Sequence, residues 1–292
     1  MFEKILAPMD GSKLAEQVIP HVGELAQAFN SEVILISVCE PEETESGQAC
    51  RMYIYTEADI LKELTVGSGA KIKTKVVTGK ADKTILGYAE TQDIDLVVMT
   101  SHGRSGIMPW SLGSTVTKVL HKVGVPLIVI RAKETLTEQD KSGLFHRVLI
   151  PLDGSERAEK VLPYVAEIAK KIDSEIILVQ VVEAGRHVHS VGGINYVRFR
   201  DQDVKRMKDK AMDYLRKVST QFAGTRAKVS YEVREGNSAQ EIIKLANEKG
   251  CSLIALSSHG HSGIEAWLVG SVTYKIMQAS NRSVLFVPAL ET

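Results

Sequence analysis

The chain carries the same sequence pattern twice, and this repeat constrains its fold more than any other feature. Ile-Leu-Ala-Pro-Met-Asp-Gly-Ser at 5–12 returns as Val-Leu-Ile-Pro-Leu-Asp-Gly-Ser at 148–155, an offset of 143 residues. Ser-His-Gly-Arg-Ser-Gly-Ile at 101–107 returns in similar form at 258–264, an offset of 157, so the second copy has 14 additional residues in between. In a chain of 292 residues, so long a period indicates two whole domains.

The repeat predicts domains at 1–133 and 146–290, joined by a polar linker at 134–145. Within each copy, short β-branched runs alternate with segments whose apolar residues recur at helical spacing. This order predicts an α/β fold of two tandem Rossmann-like domains, each a five-stranded parallel sheet in the order 3-2-1-4-5 with helices on both faces. Pro20 and Pro163 fall inside the first long helices, where we expect a kink. The predicted strands are 3–8, 32–39, 71–77, 94–100, 126–131, 147–152, 175–182, 226–234, 252–258 and 283–288.

Charge and cysteine content exclude several classes of function. Lys plus Arg and Asp plus Glu both number 36, and this balance removes the long-range attraction that a general nucleic-acid or anionic-membrane binder needs. No apolar run approaches the ~20 residues that cross a bilayer, and charged residues near the start argue against a signal peptide. The 3 cysteines form no CxxC pair, which fits a reducing compartment. We therefore expect a cytoplasmic protein without nucleic-acid or membrane partners.

Two segments whose residues could bind a ligand follow the first and fourth predicted strands of each copy. Ligands of open α/β sheets bind beyond the carboxyl ends of the strands, where the connections switch direction, and this places Asp10 opposite the loop that starts at Gly103. Glycines allow positive φ and close backbone approach, and a helix that begins after Gly113 offers free amides beside the hydroxyls of Ser114 and Thr115. These groups suit an anion and a carboxylate suits a sugar diol, so together they suit a nucleotide. The corresponding residues of the second copy are Asp153, Gly260, Gly270 and Ser271.

Each segment also has a purely structural interpretation. Asp-Gly-Ser after a strand is an ordinary helix start in which Asp10 or Ser12 is the cap, and Gly-Ser before a helix is by itself more often a cap than a phosphate site. Both segments at one crevice, in both copies, favour ligand binding over capping alone.

The pattern Pro-x-Asp-Gly-Ser after the first strand, followed by Gly-x9-Gly-Ser after the fourth, resembles the universal stress protein family, here with two domains in tandem. The resemblance implies an adenine nucleotide α-hydrolase-like fold and binding of ATP or AMP, often with Mg²⁺. The first glycine of the family pattern Gly-x2-Gly-x9-Gly-Ser/Thr is replaced by Thr100 and Ser257. We therefore expect extended or slightly shifted backbone at those two positions.

The resemblance also assigns residues to parts of the ligand. It implies that the two aspartates and the prolines two residues before them contact ribose or adenine, that a valine ending the second strand offers backbone groups to adenine, and that glycines and hydroxyls hold the phosphates. In the first copy the implied site consists of Pro8, Asp10, Val38, Met99, Thr100, Gly103, Arg104, Gly113, Ser114 and Thr115. In the second copy it consists of Pro151, Asp153, Val181, Leu256, Ser257, Gly260, Gly270 and Ser271.

The resemblance has a consequence for assembly as well. Family members commonly pair through their last strand, so 127–131 could pair with 284–287 inside this chain. Such pairing would leave other surfaces for a homodimer.

Other candidate sites are weaker. The chain has no P-loop, no G-x-G-x-x-G fingerprint and no G-x-S-x-G elbow. His102 and its counterpart His259 could serve as acid or base, but a hydrogen bond that braces the loop is favoured. Arg104 could reach phosphates and its counterpart is His261, so the two domains can differ in affinity or charge selectivity.

Two further groups of side chains have both a functional and a structural interpretation. His187, His189, His259 and His261 could bind Zn²⁺ or Ni²⁺, although their spacing suggests no helical or hairpin frame and the insertion is expected to be mobile. Trp110 and Trp267 could stack on adenine, but a hydrophobic anchor for the loop is the commoner role.

Three hypotheses about function follow. The leading one is a nucleotide-binding sensor or signalling protein in which ATP or AMP biases conformation or partner contacts, with slow turnover or none. The second is a weak Mg²⁺-dependent ATP hydrolase, and the third is a dimerisation scaffold with empty pockets.

Overall fold

A computed structural model describes residues 1–39, 46–104, 106–108, 111–135, 143–190, 193–258 and 269–289. For residues 46–47, 186–190 and 193–198 only the backbone is described.

Each half alternates strands with helices as the sequence predicts, and every predicted strand is found within two residues of its expected ends. The elements of the first half are β1 (Lys4–Pro8), α1 (Lys13–Glu16), α2 (Ile19–Phe29), β2 (Glu32–Cys39), α3 (Ser46–Leu64), β3 (Lys71–Thr78), α4 (Ala81–Thr91), β4 (Leu96–Thr100), α5 (Ser114–Leu120) and β5 (Leu127–Ile130). Those of the second half are β6 (Arg147–Pro151), α6 (Glu156–Glu159), α7 (Leu162–Lys171), β7 (Glu175–Val182), β8 (Gly185–Ser190), β9 (Gly193–Arg198), α8 (Asp201–Ser219), β10 (Lys228–Glu235), α9 (Ser238–Glu248), β11 (Leu253–Ser257), α10 (Ser271–Ala279) and β12 (Ser283–Val287).

The two predicted sheets form one continuous sheet of ten strands. Its order is β10-β7-β6-β11-β12-β5-β4-β1-β2-β3, so each half has the predicted order 3-2-1-4-5 and β3 and β10 are the outermost strands. At the centre β12 pairs with β5 in antiparallel fashion, with Leu285 opposite Ile128, which confirms the predicted pairing inside the chain. Because this pair is antiparallel and the pairs within each half are parallel, the carboxyl ends of the strands point to opposite edges of the sheet in the two halves.

Helices cover both faces of the sheet, as predicted. One face packs against α1, α2 and α3 of the first half and α6, α7 and α8 of the second. The other face packs against α4, α5, α9 and α10. Continuous apolar strands such as β4, in which every residue is buried, are the expected result of a sheet covered on both sides.

The prolines act differently from the prediction. Instead of one kinked helix, the segment after β1 divides into α1 and α2, and Pro20 lies in the first turn of α2. Pro163 has the same place in α7. A proline in the first turn loses no helical hydrogen bond, because the first N–H groups of a helix have no acceptor within it.

The insertion in the second half also differs from the prediction. It forms an antiparallel hairpin of β8 and β9, in which His187 lies opposite Tyr196 and His189 opposite Ile194. The expectation that these histidines have no hairpin frame was therefore wrong, because the backbone of 185–190 pairs with that of 193–198. Across the described ranges, no helix is long and apolar enough to cross a membrane.

Candidate functional site

A cavity of about 360 Å³ opens at the carboxyl ends of β1 and β4, where the sequence places the ligand. It is large enough for a small ligand such as a nucleoside phosphate. The residues predicted for the first copy all line it: Pro8, Asp10, Val38, Met99, Thr100, Gly103, Arg104, Gly113, Ser114 and Thr115. The sequence reasoning missed the residues that complete the wall, which are Met9, Ala15, Ile36, Ala81, Ile85 and Val116.

Asp10 is held by the start of the helix that follows it. Its Oδ1 accepts hydrogen bonds from the backbone N–H of Ser12 at 3.0 Å and from the Ser12 hydroxyl at 2.6 Å. The Ser12 Oγ in turn accepts from the N–H of Ala15 at 3.1 Å and caps α1. Gly11 between them has φ +84°, a value that glycine adopts without strain. The capping interpretation of Asp-Gly-Ser is thus confirmed, and it coexists with the place of Asp10 on the cavity wall.

The other oxygen of Asp10 faces the loop between Gly103 and Gly113, called the glycine loop below, as predicted. Oδ2 accepts from the backbone N–H of Arg104 at 2.8 Å, and the Arg104 Nε donates to the Asp10 carbonyl. A Cβ at Gly103 would lie 1.9 Å from this oxygen, so no side chain fits there. The carboxylate and the loop therefore meet across one crevice.

Gly113 also lies close to the neighbouring backbone. Its N–H donates to the carbonyl of Ser101 at 2.8 Å, and a Cβ on it would lie 3.2 Å from that same oxygen. Gly113 has φ −57°, and neither it nor Gly103 has a positive φ. Of the two properties of glycine named above, positive φ and close approach, these two positions use close approach of the backbone to a neighbouring carboxylate or carbonyl.

The helix α5 starts directly at the cavity wall. Its first helical hydrogen bond runs from the N–H of Thr117 to the carbonyl of Gly113 at 3.0 Å, and no side chain caps this end in the described residues. The N–H groups of Ser114 and Thr115 consequently have no acceptor inside the helix, and both residues line the cavity.

The two non-glycine replacements adopt the expected backbone. Thr100 ends β4 and Ser257 ends β11, and neither has a positive φ. The Thr100 hydroxyl donates to the carbonyl of His102 at 2.8 Å, and that of Ser257 donates to the carbonyl of Arg157 at 2.7 Å. The hydroxyls thus fix the chain where the family pattern has glycine.

His102 braces the loop, in agreement with the favoured interpretation. It is buried, with Nδ1 3.1 Å from the Ser101 hydroxyl and Nε2 3.4 Å from the Ser111 hydroxyl. Burial lowers the pKa of His102, and the nearby Arg131 guanidinium lowers this pKa further. The imidazole is therefore neutral at pH 7 and joins both ends of the glycine loop.

An acidic group lies behind Asp10 that the sequence reasoning missed. Burial raises the pKa of Glu57, and the charge of Glu16 raises this pKa further. Burial also raises the pKa of Tyr53, followed by the charges of Glu57, Glu16 and Asp10. The Tyr53 hydroxyl is buried and has no hydrogen-bond partner among the described residues. Tyr53 thus lies near three carboxyl groups, those of Glu57, Glu16 and Asp10.

The second half has a corresponding cavity of about 460 Å³ at the opposite edge of the sheet. Asp153 repeats the geometry of Asp10, with Oδ1 accepting from the N–H of Ser155 at 3.0 Å and from its hydroxyl at 2.6 Å. The predicted residues that line this cavity are Pro151, Asp153, Val181, Leu256, Ser257, Gly270 and Ser271. Gly260 lies outside the described residues.

The two cavities differ in their polar groups. Val272 stands at the position equivalent to Thr115 and Thr273 at the position equivalent to Val116, so the second hydroxyl beside the helix start lies one residue further along the helix. Gln180 and Glu183 line the second cavity near the end of β7. The sites are therefore similar in plan and unequal in chemistry.

Several sequence candidates fall on residues that the structure leaves out. Four of them lie outside the described residues: Trp110, Trp267, His259 and His261. Among the described residues, no group of three or more His, Cys, Asp or Glu side chains could hold a metal ion.

The fold and the position of its two cavities define the class of protein. Two parallel α/β units of order 3-2-1-4-5, each with its cavity at the switch point, form a tandem of adenine nucleotide α-hydrolase-like domains. The chain belongs to the universal stress protein family, whose family model matches residues 1–131 and 144–288.

Individual relatives match one half or the whole chain. The universal stress protein YxiE of Bacillus subtilis is 34% identical over 149 residues, which cover 49% of this chain and 99% of YxiE. The universal stress protein Slr1230 of Synechocystis is 20% identical over 313 residues, which cover 97% of this chain and 99% of Slr1230. The crystal structure of a universal stress protein from Archaeoglobus fulgidus superposes with a TM-score of 0.67 at 19% identity and covers 99% of both chains. This last similarity shows a shared fold.

Proposed function

We propose that the chain is a cytoplasmic sensor or signalling module that binds adenine nucleotides, ATP or AMP, in its two cavities. The observation that carries this proposal is the convergence of the predicted residues of the first half on one cavity. These residues come from four separate parts of the chain, at or just after the ends of β1, β2 and β4 and at the start of α5. A purely structural role for each would not require a common wall.

The charges of the first cavity suit the two ends of a nucleotide. Phosphates would lie at Gly113, Ser114 and Thr115, where amides without helical acceptors and two hydroxyls face the cavity. The adenosine would lie toward Asp10, whose carboxylate can accept from a sugar diol or an exocyclic amine, and toward the end of β2 at Val38.

Magnesium fits this arrangement only together with the nucleotide. Mg²⁺ usually binds through substrate phosphates and one or two carboxylates, and the described residues offer no metal cluster of their own. Asp10 is the carboxylate closest to the proposed phosphate loop, since it accepts from the N–H of Arg104.

Binding without fast turnover agrees with the groups at hand. His102 lines the cavity, but it is buried and hydrogen-bonded at both ring nitrogens, and burial lowers the pKa of its imidazole, so it is a weak base for an attacking water. The homodimer that the resemblance implies would use surfaces other than β5 and β12, which are already paired with each other.

Titration calorimetry with ATP, ADP and AMP tests the proposal. We expect two sites in the full chain, and we expect Asp10→Ala and Asp153→Ala each to weaken one site about 10-fold or more, as the loss of a charge-assisted hydrogen bond predicts. Asp59→Ala, which removes an exposed carboxylate of α3, is the matched control and should change neither site.

The same samples distinguish the other two hypotheses. Absence of binding heat with all three nucleotides would refute the proposal and favour a scaffold with empty pockets. Unchanged affinities in both aspartate variants would remove these carboxylates from the site. Steady release of ADP from Mg-ATP, lost in Gly113→Val with Gly270→Val, would favour the hydrolase.

A further inference from the structure

Arg131 joins the two halves of the molecule next to the first cavity. It follows β5 directly, and its backbone N–H donates to the hydroxyl of Ser283 at 3.1 Å. Its guanidinium reaches in two directions. Nη1 donates to the carbonyl of Ser111 in the glycine loop at 3.2 Å, and Nη2 donates to the carbonyl of Met277 in α10 at 2.8 Å.

The second of these contacts caps a helix. Met277 and Gln278 lie in the last turn of α10, where carbonyls receive no hydrogen bond from within the helix, and Arg131 Nη2 is 3.4 Å from the Gln278 carbonyl as well. A cation at this end also complements the helix dipole. Burial lowers the pKa of Arg131 to about 10, so the side chain is still charged at pH 7.

The helix α10 runs from the wall of the second cavity to the guanidinium of Arg131. It begins after Gly270 at the wall of the second cavity and ends at the guanidinium beside the first. Its 9 residues span about 13 Å at 1.5 Å per residue. A helix of this length moves as a rigid element, so displacement at one end is felt at the other.

A second contact connects the end of α5 to the first turns of α10. The ring of His121, which ends α5, packs edge-on against Tyr274 in the first turns of α10, with ring centroids 6.0 Å apart and an angle of 78°. Domain one therefore touches α10 near both of its ends.

The arginine contact is present in one half and has no equivalent in the other. At the offset of 157 residues, the position equivalent to Arg131 is Pro288, which cannot make these bonds. In the described part of the second half, no arginine at the corresponding position contacts α5. The link runs from the glycine loop of the first cavity to the helix of the second.

We infer that Arg131 is a positioning residue that couples the two cavities, so that a nucleotide in the first changes the order of α10 and the affinity of the second. This inference rests on the proposed function. A ligand that holds the glycine loop fixes the Ser111 carbonyl, and through the guanidinium it fixes the last turn of α10. Such coupling is reciprocal, and between distinct sites it commonly amounts to about 5–150-fold in affinity.

Hydrogen exchange of α10 in the full-length Asp153→Ala protein tests the inference, because loss of Asp153 weakens the second cavity about 10-fold or more and an ATP concentration between the two affinities then fills mainly the first cavity. We expect ATP at this concentration to slow exchange of the α10 amides about fivefold or more. The effect should vanish in Arg131→Gln. It should also vanish in Arg131→Lys, which keeps the charge but not the fork that reaches two carbonyls, and which serves if the glutamine variant does not fold.

The control removes a different cation from the same region. The Arg282 Nε donates to the side chain of Asn247, and Arg282→Gln should leave the response of α10 to ATP unchanged. A merely structural role for Arg131 would speed exchange of α10 equally with and without ATP.

Calorimetry of the same proteins distinguishes failure of the coupling from failure of the proposed function. If ATP binds to the Asp153→Ala protein but leaves exchange of α10 unchanged, or if the folded Arg131 variants still respond, the coupling is refuted and the proposed function stands. If ATP gives no heat with either the wild type or Asp153→Ala, the proposed function is refuted and the coupling with it.

Discussion

Replacing Gly103 by alanine should damage both stability and the first cavity, and the size of the effect can be worked out from the contacts. The new Cβ would lie 1.9 Å from Oδ2 of Asp10 and 2.9 Å from its Cγ. Either the carboxylate or the loop must move, and both movements break the 2.8 Å hydrogen bond from the N–H of Arg104 to Oδ2. A hydrogen bond to a charged group contributes about 1.5–3 kcal/mol, so we expect the free energy of unfolding to fall by about this amount.

The carboxylate cannot move alone without further loss. Its other oxygen is held by the N–H and the hydroxyl of Ser12, which caps α1. If Asp10 moves, the cap is disturbed as well and the cost lies at the upper end of the range. Because the same carboxylate is proposed to meet the nucleotide, affinity of the first cavity for ATP should fall about 10-fold or more.

Urea unfolding followed by circular dichroism, together with calorimetry, measures both effects. Gly87→Ala in the middle of α4 is the matched control, because a Cβ there would meet nothing within 4 Å. Alanine is the better helix former, so this control should gain about 0.5–1 kcal/mol. A Gly103→Ala protein as stable as the wild type and equal in ATP affinity would refute the proposed contact of loop and carboxylate.

Other perturbations test the pH dependence, the helix caps and the central strand pair. Burial and then the charge of Glu16 raise the pKa of Glu57 in the folded state, so stability is lost as pH rises from 4.5 through the raised value. Glu57→Gln should therefore flatten the dependence of the urea midpoint on pH between about pH 4 and 8 and should stabilise the protein at the upper end of this range. Glu63→Gln, on the exposed side of α3, should have neither effect, and parallel curves for the wild type and Glu57→Gln would contradict the raised pKa. Ser155→Ala removes the cap of α6 and should cost about 0.5–2 kcal/mol in thermal unfolding, whereas an unchanged midpoint would argue against the cap. Leu285→Ala, at a fully buried position of the β12–β5 pair, should cost about 2–5 kcal/mol in urea unfolding, and a loss well under 1 kcal/mol would mean that this seam contributes little.

Much of the fold could be predicted because its signals are local and duplicated. Runs such as Leu96–Thr100 are apolar without alternation, and the repeat shows each element twice. The polar wall of the cavity was predictable for the same reason, since Asp10 and Gly113 follow strands whose carboxyl ends must meet at a switch point. The backbone angles at Gly103 and Gly113 could not be predicted from the sequence, because glycine serves both close approach and positive φ.

The remaining features depend on contacts far apart in sequence. Arg131 looks like an ordinary charge after a strand, and its partner Met277 lies 146 residues away. The carboxyl of Glu57 occupies an exposed-looking position in a mixed helix, and only packing against the sheet buries it. The break between α1 and α2 was missed because the apolar stripe continues through it, with Val18 fully buried at the junction.

The strand order leaves β3 and β10 as the free margins of the sheet, and β3 presents Lys71, Lys73 and Lys75 as exposed residues along its length. Another copy that approached this margin to extend the sheet would bring rows of ammonium groups side by side. Charged rims of this kind discourage stacking of molecules into fibres. A chain that closes its own central seam can thus spread ten strands wide and still resist polymerising at this margin.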